Sequence, residues 1–265
     1  MGHLKIGIVP DTLGIIGTSV SVQSTARCLE EFGQDVTYIL VEASAGETRD
    51  DAGRKLVRTG SFRLKDLAAV MDTFDAVLIS NGVFMPFSLE ASRFTQKALV
   101  CEILHFNATA GLTPSVDITI AVSEYIYREM RPRENDILIS NGIDFEAFRP
   151  LPRPARDRVR IIQVAAAAKT MDPDLEEIGP ELIAEGLPIE IHLAGRSGCN
   201  TDDRVVYHGV VEHHRIPSLV AESDMLLHMS ETDTFGLAPV EAMSVGTIPI
   251  VSRVGGLPYS VEDGV

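Results

Sequence analysis

The sequence predicts an α/β fold built from two Rossmann-like lobes. Strand-like apolar runs alternate with helix-like segments along the chain, which is typical of parallel sheets whose strands are connected by crossover helices. Residues 148–154, with three prolines in five positions, interrupt this alternation. Such a segment fits neither a helix nor a central strand, so it is the best candidate for a linker. Because the alternation restarts after it, we expect one lobe over 1–150 and a second over 151–265.

The first lobe is predicted to open with a strand from Ile6 to Val9. A loop with Gly14 and Gly17 follows, and then a helix from about Ser19 to Phe32. Residues 50–65 are polar and indicate a loop or an exposed helix. Short apolar runs predict the remaining strands, at 36–41, 76–80, 98–104, 118–122 and 137–140.

The second lobe shows the same alternation. Its predicted strands lie at 159–166, 189–194, 205–208, 225–229 and 248–251, and its predicted helices lie near 173–185 and 216–222. A further helix is expected between the last two strands, because Pro239 suits a first helical turn and Gly246 suits a helix end.

The stretch from Met225 to Gly246 is the most informative part of the chain. It predicts a buried strand, an acidic loop with Gly236, and a helix N-terminus. Several backbone N–H groups at such a turn can point at one anion. Two carboxylates flank the turn, Asp233 and Glu241, with seven residues between them. Carboxylates accept hydrogen bonds from sugar hydroxyls and repel phosphate, so the pattern favours a nucleotide sugar as ligand.

This stretch resembles the donor-site signature of the GT-B glycosyltransferases, in particular the large retaining group numbered family 4. The matching residues are Ser230, the Phe235-Gly236 pair, Glu241-Ala242-Met243 and the Gly255-Gly256 turn. The family pattern has Glu where this chain has Asp233. A second match, Ser140-Asn141-Gly142-Ile143-Asp144 followed by Phe148-Arg149-Pro150, is similar to the segment that joins the two domains of that family.

The resemblance implies that the two lobes face a cleft and that the chain is a hexosyltransferase-type enzyme. It would move a sugar from a nucleotide-diphosphate-sugar donor to an unknown hydroxyl acceptor (a glycan, a lipid or a small molecule), with retention of configuration. Family members usually continue beyond the Gly-Gly turn, so the second lobe looks truncated at its C-terminus. The alternative is a truncated, catalytically inactive relative that binds a nucleotide sugar.

The resemblance also implies roles for single residues. Glu241 would hold the ribose hydroxyls of the donor, and Asp233 would take hydroxyls of the transferred sugar as a catalytic-site residue. Glu231, two positions before Asp233, is an alternative for that second role. The backbone of Phe235, Gly236 and Leu237 would bind the diphosphate.

A diphosphate also needs cations, which the family supplies as an Arg and a Lys after the first strand of the second lobe. Lys169 matches the Lys, but the Arg is absent from this segment. Arg196, which follows a later strand, is the best replacement, and Arg253 is the second choice.

The first lobe contributes two further candidates. His105 directly follows a predicted buried strand, where the family has a His near the transferred sugar. There it would donate a hydrogen bond to a sugar hydroxyl or stabilise developing charge, and it would not be a nucleophile. Gly17 lies in the loop that, in the family, shapes the donor site. Two glycines at the spacing of Gly14 and Gly17 are only a weak nucleotide fingerprint.

Composition excludes several classes of function. A net charge of −15 argues against general nucleic-acid binding, which needs a basic surface. The three cysteines are widely spaced and form no Cys-x-x-Cys, which disfavours a disulfide framework or a zinc site and favours the cytoplasm. His208, His213 and His214 lack acids at ligand spacing, so no metal site is expected.

The resemblance likewise implies no metal and no other cofactor, since helix amides and basic side chains hold the leaving group. Peripheral membrane contact stays open, because many family members act on lipid-linked acceptors. One further rival is a hydrolase or epimerase on the same fold, with Asp233 and Glu241 as acid and base. It would require the two carboxyl groups to lie within about 10 Å.

Overall fold

The computed structural model describes residues 2–10, 17–43, 45–80, 85–105, 116–153, 155–164, 171, 174–198 and 202–264. The chain divides into two compact units, Met1–Gly142 and Ile143–Val265. Each unit has its own sheet and its own buried apolar clusters. No helix among these described residues is both long and apolar enough to cross a membrane.

The described strands of the first unit form one eight-stranded sheet. They are β1 (Lys5–Val9), β2 (Asp35–Leu40), β3 (Ala45–Arg49), β4 (Lys55–Thr59), β5 (Ala76–Ser80), β6 (Leu99–Leu104), β7 (Ile118–Ala121) and β8 (Ile137–Leu138). Their spatial order is β3-β4-β2-β1-β5-β6-β7-β8, and every neighbouring pair is parallel except β3–β4. The strand β1 is paired with β2 on one side and with β5 on the other, so the strand order reverses direction at β1. The carboxyl ends of β1 and β5 therefore form a topological switch point, where ligands of such sheets bind.

Four described helices belong to this unit: α1 (Gly17–Glu31), α2 (Leu64–Met71), α3 (Met85–Ser92) and α4 (Glu124–Glu129). The helix α1 packs on one face of the sheet, where its Val22 and Ala26 meet Ile6, Ile8 and other apolar side chains. The opposite face carries α2, whose Leu67 and Met71 are fully buried against Val77 and Ile79. Both faces of this parallel sheet are thus covered, as a parallel sheet requires.

The expectation for residues 50–65 was wrong. This segment contains the strand β4, which pairs with β2 in parallel and with β3 in antiparallel orientation. Leu56 is buried in the α1 cluster, and Val57 packs on the other face. Only these two apolar residues anchor the strand, so polar neighbours hid it from a reading based on hydrophobic runs.

The described strands of the second unit form a five-stranded parallel sheet. They are β9 (Val159–Val164), β10 (Ile189–Ala194), β11 (Val205–Gly209), β12 (Met225–His228) and β13 (Ile248–Val251), in the order β11-β10-β9-β12-β13. Its described helices are α5 (Leu175–Ala184), α6 (Ile216–Ala221), α7 (Leu237–Ser244) and α8 (Leu257–Ser260), and a 3₁₀ turn spans His213–Arg215. This alternation agrees with the predicted Rossmann-like architecture.

The division between the units falls between Gly142 and Ile143, ahead of the proline-rich segment. Asn141 still belongs to the first unit, where its side chain accepts a hydrogen bond from Ser21 of α1 (2.6 Å). Phe148 is fully buried in the second unit among Ile162, Val220 and other apolar residues. The motif that the sequence linked to a domain junction therefore holds the first residues of the second unit's core.

Candidate functional site

The turn between β12 and α7 is built around Gly236. This residue has φ of +83°, a left-handed conformation that glycine adopts without the steric cost of a side chain. A Cβ there would also lie 2.4 Å from Leu257 Cδ2. Gly236 is the N-cap of α7, and no side chain caps that helix end in the structure described. Pro239 has no N–H, so the amides of Leu237 and Ala238 are the donors available in the first turn.

The Gly-Gly pair allows two backbone segments to approach very closely. A Cβ on Gly255 would lie 1.9 Å from the carbonyl oxygen of Asp233, and one on Gly256 would lie 2.0 Å from that of Thr234. The Gly256 amide donates a hydrogen bond to the Asp233 carbonyl (2.8 Å). The backbone of the Gly255-Gly256 turn thus packs directly against the loop that precedes α7.

The Asp233 carboxylate is engaged inside the protein. Its Oδ1 accepts hydrogen bonds from the amides of Phe235 (3.2 Å) and Gly236 (2.8 Å), and its Oδ2 lies 2.9 Å from His228 Nε2. These contacts make Asp233 the residue that fixes the loop. The amides of Phe235 and Gly236, which we expected to bind a diphosphate, are therefore already used within the protein. The amides in the first turn of α7 remain available to an anion. Glu231 is exposed. The predicted sugar-binding role of Asp233 stays a prediction.

The Glu241 carboxylate, on α7 itself, differs from that of Asp233 in its surroundings. Its residue exposure is only 9%, and its carboxylate accepts no hydrogen bond from the residues that the structure describes. Burial raises the pKa of Glu241 to about 7. The nearest cationic candidate is His213, whose Nε2 lies 4.0 Å from Oε1. The Glu241 side chain is still 12% exposed, so a ligand hydroxyl can reach the carboxylate and donate to it.

His213 itself is held by its surroundings. Its ring meets the ring of Phe148 edge-on, with centroids 6.2 Å apart. Burial lowers its pKa, and the nearby Asp144 opposes that effect. The imidazole is consequently neutral at pH 7, with one nitrogen as donor and the other as acceptor.

The predicted cationic residues differ in what they contact. An Nη of Arg196 donates a hydrogen bond to Asp174 Oδ2 (2.5 Å). The other carboxylate oxygen of Asp174 caps α5 and accepts a hydrogen bond from the side-chain amide of Gln163 (3.0 Å). The Nε of Arg196 is buried and has no hydrogen-bond partner in the described part of the chain. Arg253 pairs with Asp263 on the surface. Lys169 lies outside the described residues.

In the first unit, three buried polar side chains lie at the carboxyl edge of the sheet. Ser19, Ser80 and His105 are 1%, 2% and 3% exposed, and each has a side-chain atom without a hydrogen-bond partner within the described ranges. Ser80 is paired in register with Ile103, two positions before His105, so both side chains face the α1 side of the sheet. Ser19 is in the first turn of α1. Burial lowers the pKa of His105 to about 4, so its imidazole is neutral.

The remaining sequence candidates are placed as follows. Gly17 is the first residue of α1, and the loop before it lies outside the described residues. His208 Nε2 lies 2.9 Å from His192 Nδ1, and His192 Nε2 lies 2.8 Å from Glu190 Oε1. Across the described ranges, no group of three or more His, Cys, Asp or Glu side chains is arranged to hold a metal ion.

Sequence reasoning missed several residues of these clusters. Asp174 could have been found, since an Asp before an amphipathic helix is an N-cap signal. Ser19 and Ser80 carry no local signal, because only strand order brings them to one edge. His213 was considered only as a metal ligand, and its proximity to Glu241 depends on how α7 packs near the 3₁₀ turn.

Comparison with known proteins identifies similar sequences and a similar fold. Residues 196–265 match the family model described as Glycosyl transferases group 1. A subunit of phosphatidylinositol N-acetylglucosaminyltransferase from Arabidopsis thaliana is 28% identical over 139 residues, which are 48% of this chain and 31% of that protein. D-inositol 3-phosphate glycosyltransferase from Mycobacterium tuberculosis (strain F11) is 28% identical over 149 residues, with the same two shares. The chain thus spans about a third of the length of these curated relatives.

Among solved structures, Anabaena HepE in complex with UDP and glucose superposes with a TM-score of 0.76 at 15% identity, over 99% of this chain and 84% of that one. At this identity the likeness concerns the fold. It is the GT-B fold, as the resemblance implied. The chain therefore has the fold of the GT-B glycosyltransferases, and its residues 196–265 carry the glycosyl transferases group 1 sequence pattern that the donor-site motif had indicated.

Proposed function

We propose that the chain acts as a retaining, hexosyltransferase-type glycosyltransferase that takes a nucleotide-diphosphate sugar as donor. The second unit binds the donor at the carboxyl edge of its sheet, and the first unit binds the hydroxyl acceptor. The reaction needs no metal and takes place in the cytoplasm. The named relatives act in glycosyl transfer, and the Anabaena structure was solved with UDP, which supports this donor class.

The observation that carries the proposal is the Glu241 carboxylate. It is buried, it lies on α7 one turn from an uncapped helix N-terminus, and it accepts no hydrogen bond within the described residues. An anion at the helix amides and hydroxyls at the carboxylate would satisfy both groups at once. A ribose linked to a diphosphate offers this combination.

The main chemical contribution of the chain would be electrostatic. During transfer, negative charge grows on the departing diphosphate, and the amides of Leu237 and Ala238 at the start of α7 stabilise it. Glu241 orients the nucleoside. Asp233 holds the loop in place by accepting from two of its amides, so that the helix end is preorganised before the donor arrives.

The acceptor side rests on Ser19, Ser80 and His105. Two hydroxyls and a neutral imidazole are both donors and acceptors, and they suit a neutral polyol better than a phosphate. Each has a polar atom without a partner in the described part of the chain, which is expensive in a buried site. A hydroxyl-bearing acceptor would supply the missing partners.

Calorimetry with UDP, ADP and GDP, and with their glucose conjugates, tests the proposal. We expect one nucleotide to bind, and Glu241→Ala to lose that binding together with product formation in a transfer assay. Glu262→Ala, at an exposed position, serves as the matched control and should bind as the wild type does. Unchanged binding and turnover in Glu241→Ala would refute the assignment of the donor site.

A second candidate function is binding without catalysis. The ion pairs favour it, since Arg196 and Arg253 already have carboxylate partners. Cations so engaged would give less stabilisation to a leaving diphosphate. Binding of a nucleotide sugar without any transferred or hydrolysed product, across a panel of polyol acceptors, would support this candidate over the first.

A further inference from the structure

His213 lies beside Glu241 at a distance that a single ligand atom can bridge. The 4.0 Å between His213 Nε2 and Glu241 Oε1 is too long for a direct hydrogen bond. An oxygen placed about 2.8 Å from both atoms fits this separation, with the two hydrogen bonds meeting near a right angle. A hydroxyl is the group that can do this, because it donates to the carboxylate while it accepts from an N–H.

The His213 ring contacts a buried aromatic residue that also contacts α7. This ring packs edge-on against Phe148, which is 2% exposed. The Phe148 carbonyl in turn accepts a hydrogen bond from Ser244 Oγ (3.3 Å), and Ser244 lies on α7, three residues after Glu241. Helix α7 and the 3₁₀ turn therefore both contact the same buried aromatic residue, Phe148.

The exposure and charge of His213 and Glu241 would allow a ligand hydroxyl to bind between them. The His213 side chain is 42% exposed, so solvent and solutes reach it, whereas Glu241 is at the buried end of the pair. Asp144, whose charge raises the pKa of His213, accepts hydrogen bonds from the amides of Glu146 and Ala147 and is thereby held in place. A neutral His213 can offer its Nε2–H to a ligand without placing a second charge beside Glu241.

We propose that His213 is a second hydroxyl-binding residue of the donor site, and that one ribose hydroxyl of the nucleotide bridges His213 Nε2–H and Glu241 Oε1. The inference rests on the proposed function, since it assigns a further contact within the same site. It adds a determinant that favours ribonucleotides over nucleotides lacking the 2′ and 3′ hydroxyls.

The test compares one nucleoside diphosphate with its 2′,3′-dideoxy form by calorimetry. For the nucleoside diphosphate that wild-type protein binds best among UDP, ADP and GDP, His213→Ala and His213→Phe should each weaken affinity by about five- to tenfold. The same variants should bind the dideoxy form as the wild type does. His213→Phe preserves a ring against Phe148, so it separates the lost N–H from lost packing. His213→Gln, which retains an N–H near the same place, should recover most of the affinity.

His214→Ala is the matched control, because this neighbouring histidine is 74% exposed and pairs with Glu212 on the surface. It should bind both nucleotides normally. The inference is overturned if His213→Phe binds the ribonucleotide as tightly as the wild type, or if it loses both forms equally, which would indicate a structural role. A wild-type protein that binds no nucleoside diphosphate would sink the proposed function as well, so the two failures are distinguishable.

Discussion

Asp233 Oδ2 lies 2.9 Å from His228 Nε2, at the point where β12 ends and the loop toward α7 begins. The other oxygen of the same carboxylate accepts from the amides of Phe235 and Gly236. Both side chains of the pair are largely buried, with 3% of His228 and 13% of Asp233 exposed. Asp233 thus connects the end of β12 to the start of α7.

This double engagement makes Asp233 a stability determinant. We expect Asp233→Ala to lower the free energy of unfolding by about 2–3 kcal/mol, because two amides and a buried imidazole lose a charged acceptor. Asp233→Asn keeps one carbonyl oxygen for the amides and should lose about 1 kcal/mol. Urea unfolding at pH 7 measures both. A fully stable Asp233→Ala variant that nevertheless fails to bind donor would show that the carboxylate serves the ligand alone.

Much of this architecture could be predicted from the sequence, and the failures have physical causes. The β12–α7–β13 unit was predictable because its glycines, its proline and its apolar runs are all local signals. β4 was not, since Leu56 and Val57 are its only apolar residues and the other strand of its hairpin, β3, is polar as well. Glu241 was found through its motif, whereas its relationship to His213 depends on packing between separate elements. Ser80 and His105 lie on the same face at one edge of the sheet because β5 pairs with β6, which no local pattern encodes.

The Gly-Gly turn provides a second prediction, about close backbone contact. We expect Gly255→Ala to cost about 3 kcal/mol or more, since it adds a clash with the Asp233 carbonyl to the strain of φ = +51°. Gly186→Ala is the control, because Gly186 also has positive φ (+88°) but open space around its Cβ position. It should cost only about 1 kcal/mol. Thermal unfolding of the two variants separates clash from backbone strain, and equal losses would argue against the tight contact.

Glu241 should make stability depend on pH in an unusual direction. Its folded pKa of about 7 is above the ordinary value of 4.5, so its contribution to stability is complete below pH 4.5 and is lost as the pH rises through 7. We therefore expect Glu241→Gln to be more stable than the wild type above pH 7, by on the order of 3 kcal/mol, while losing donor affinity. The difference should vanish near pH 4.5. Denaturant unfolding across this range checks it, and a destabilised Glu241→Gln at pH 8 would contradict a desolvated carboxylate.

His192 on β10 and His208 on β11 should make stability depend on pH in the opposite direction to Glu241. Burial is the main cause that lowers the pKa of both His192 and His208, although Glu190 opposes it at His192. The charges of His192, Arg160 and Arg215 lower the pKa of His208 further, and Glu222 opposes them. Because the folded values are below 6.5, the unfolded chain binds more protons as the pH falls, and stability is lost from about pH 6.5 downward.

The Glu241→Gln background isolates this effect from the opposing carboxyl. In that background, unfolding free energy should fall between pH 7 and pH 5, and adding His208→Phe should flatten the slope. Glu190 and Arg160 remain in place in this variant and continue to surround His192. An unchanged slope would mean that other groups carry the acid sensitivity.

The buried hydroxyl of Ser80 gives the sharpest test of the proposed acceptor site. The Ser80 hydroxyl has no hydrogen-bond partner among the residues that the structure describes, and such a buried group costs free energy, so Ser80→Ala should leave stability unchanged or raise it by about 1 kcal/mol. Ser92→Ala is the matched control in the same unit, because the equally buried Ser92 Oγ donates to the Leu89 carbonyl (2.6 Å). That variant should lose about 1 kcal/mol. If Ser80 serves an acceptor hydroxyl, Ser80→Ala should also raise the acceptor KM without changing the affinity for the nucleotide. A Ser80→Ala variant that loses as much stability as Ser92→Ala would show that the hydroxyl already has a structural partner and is not reserved for a ligand.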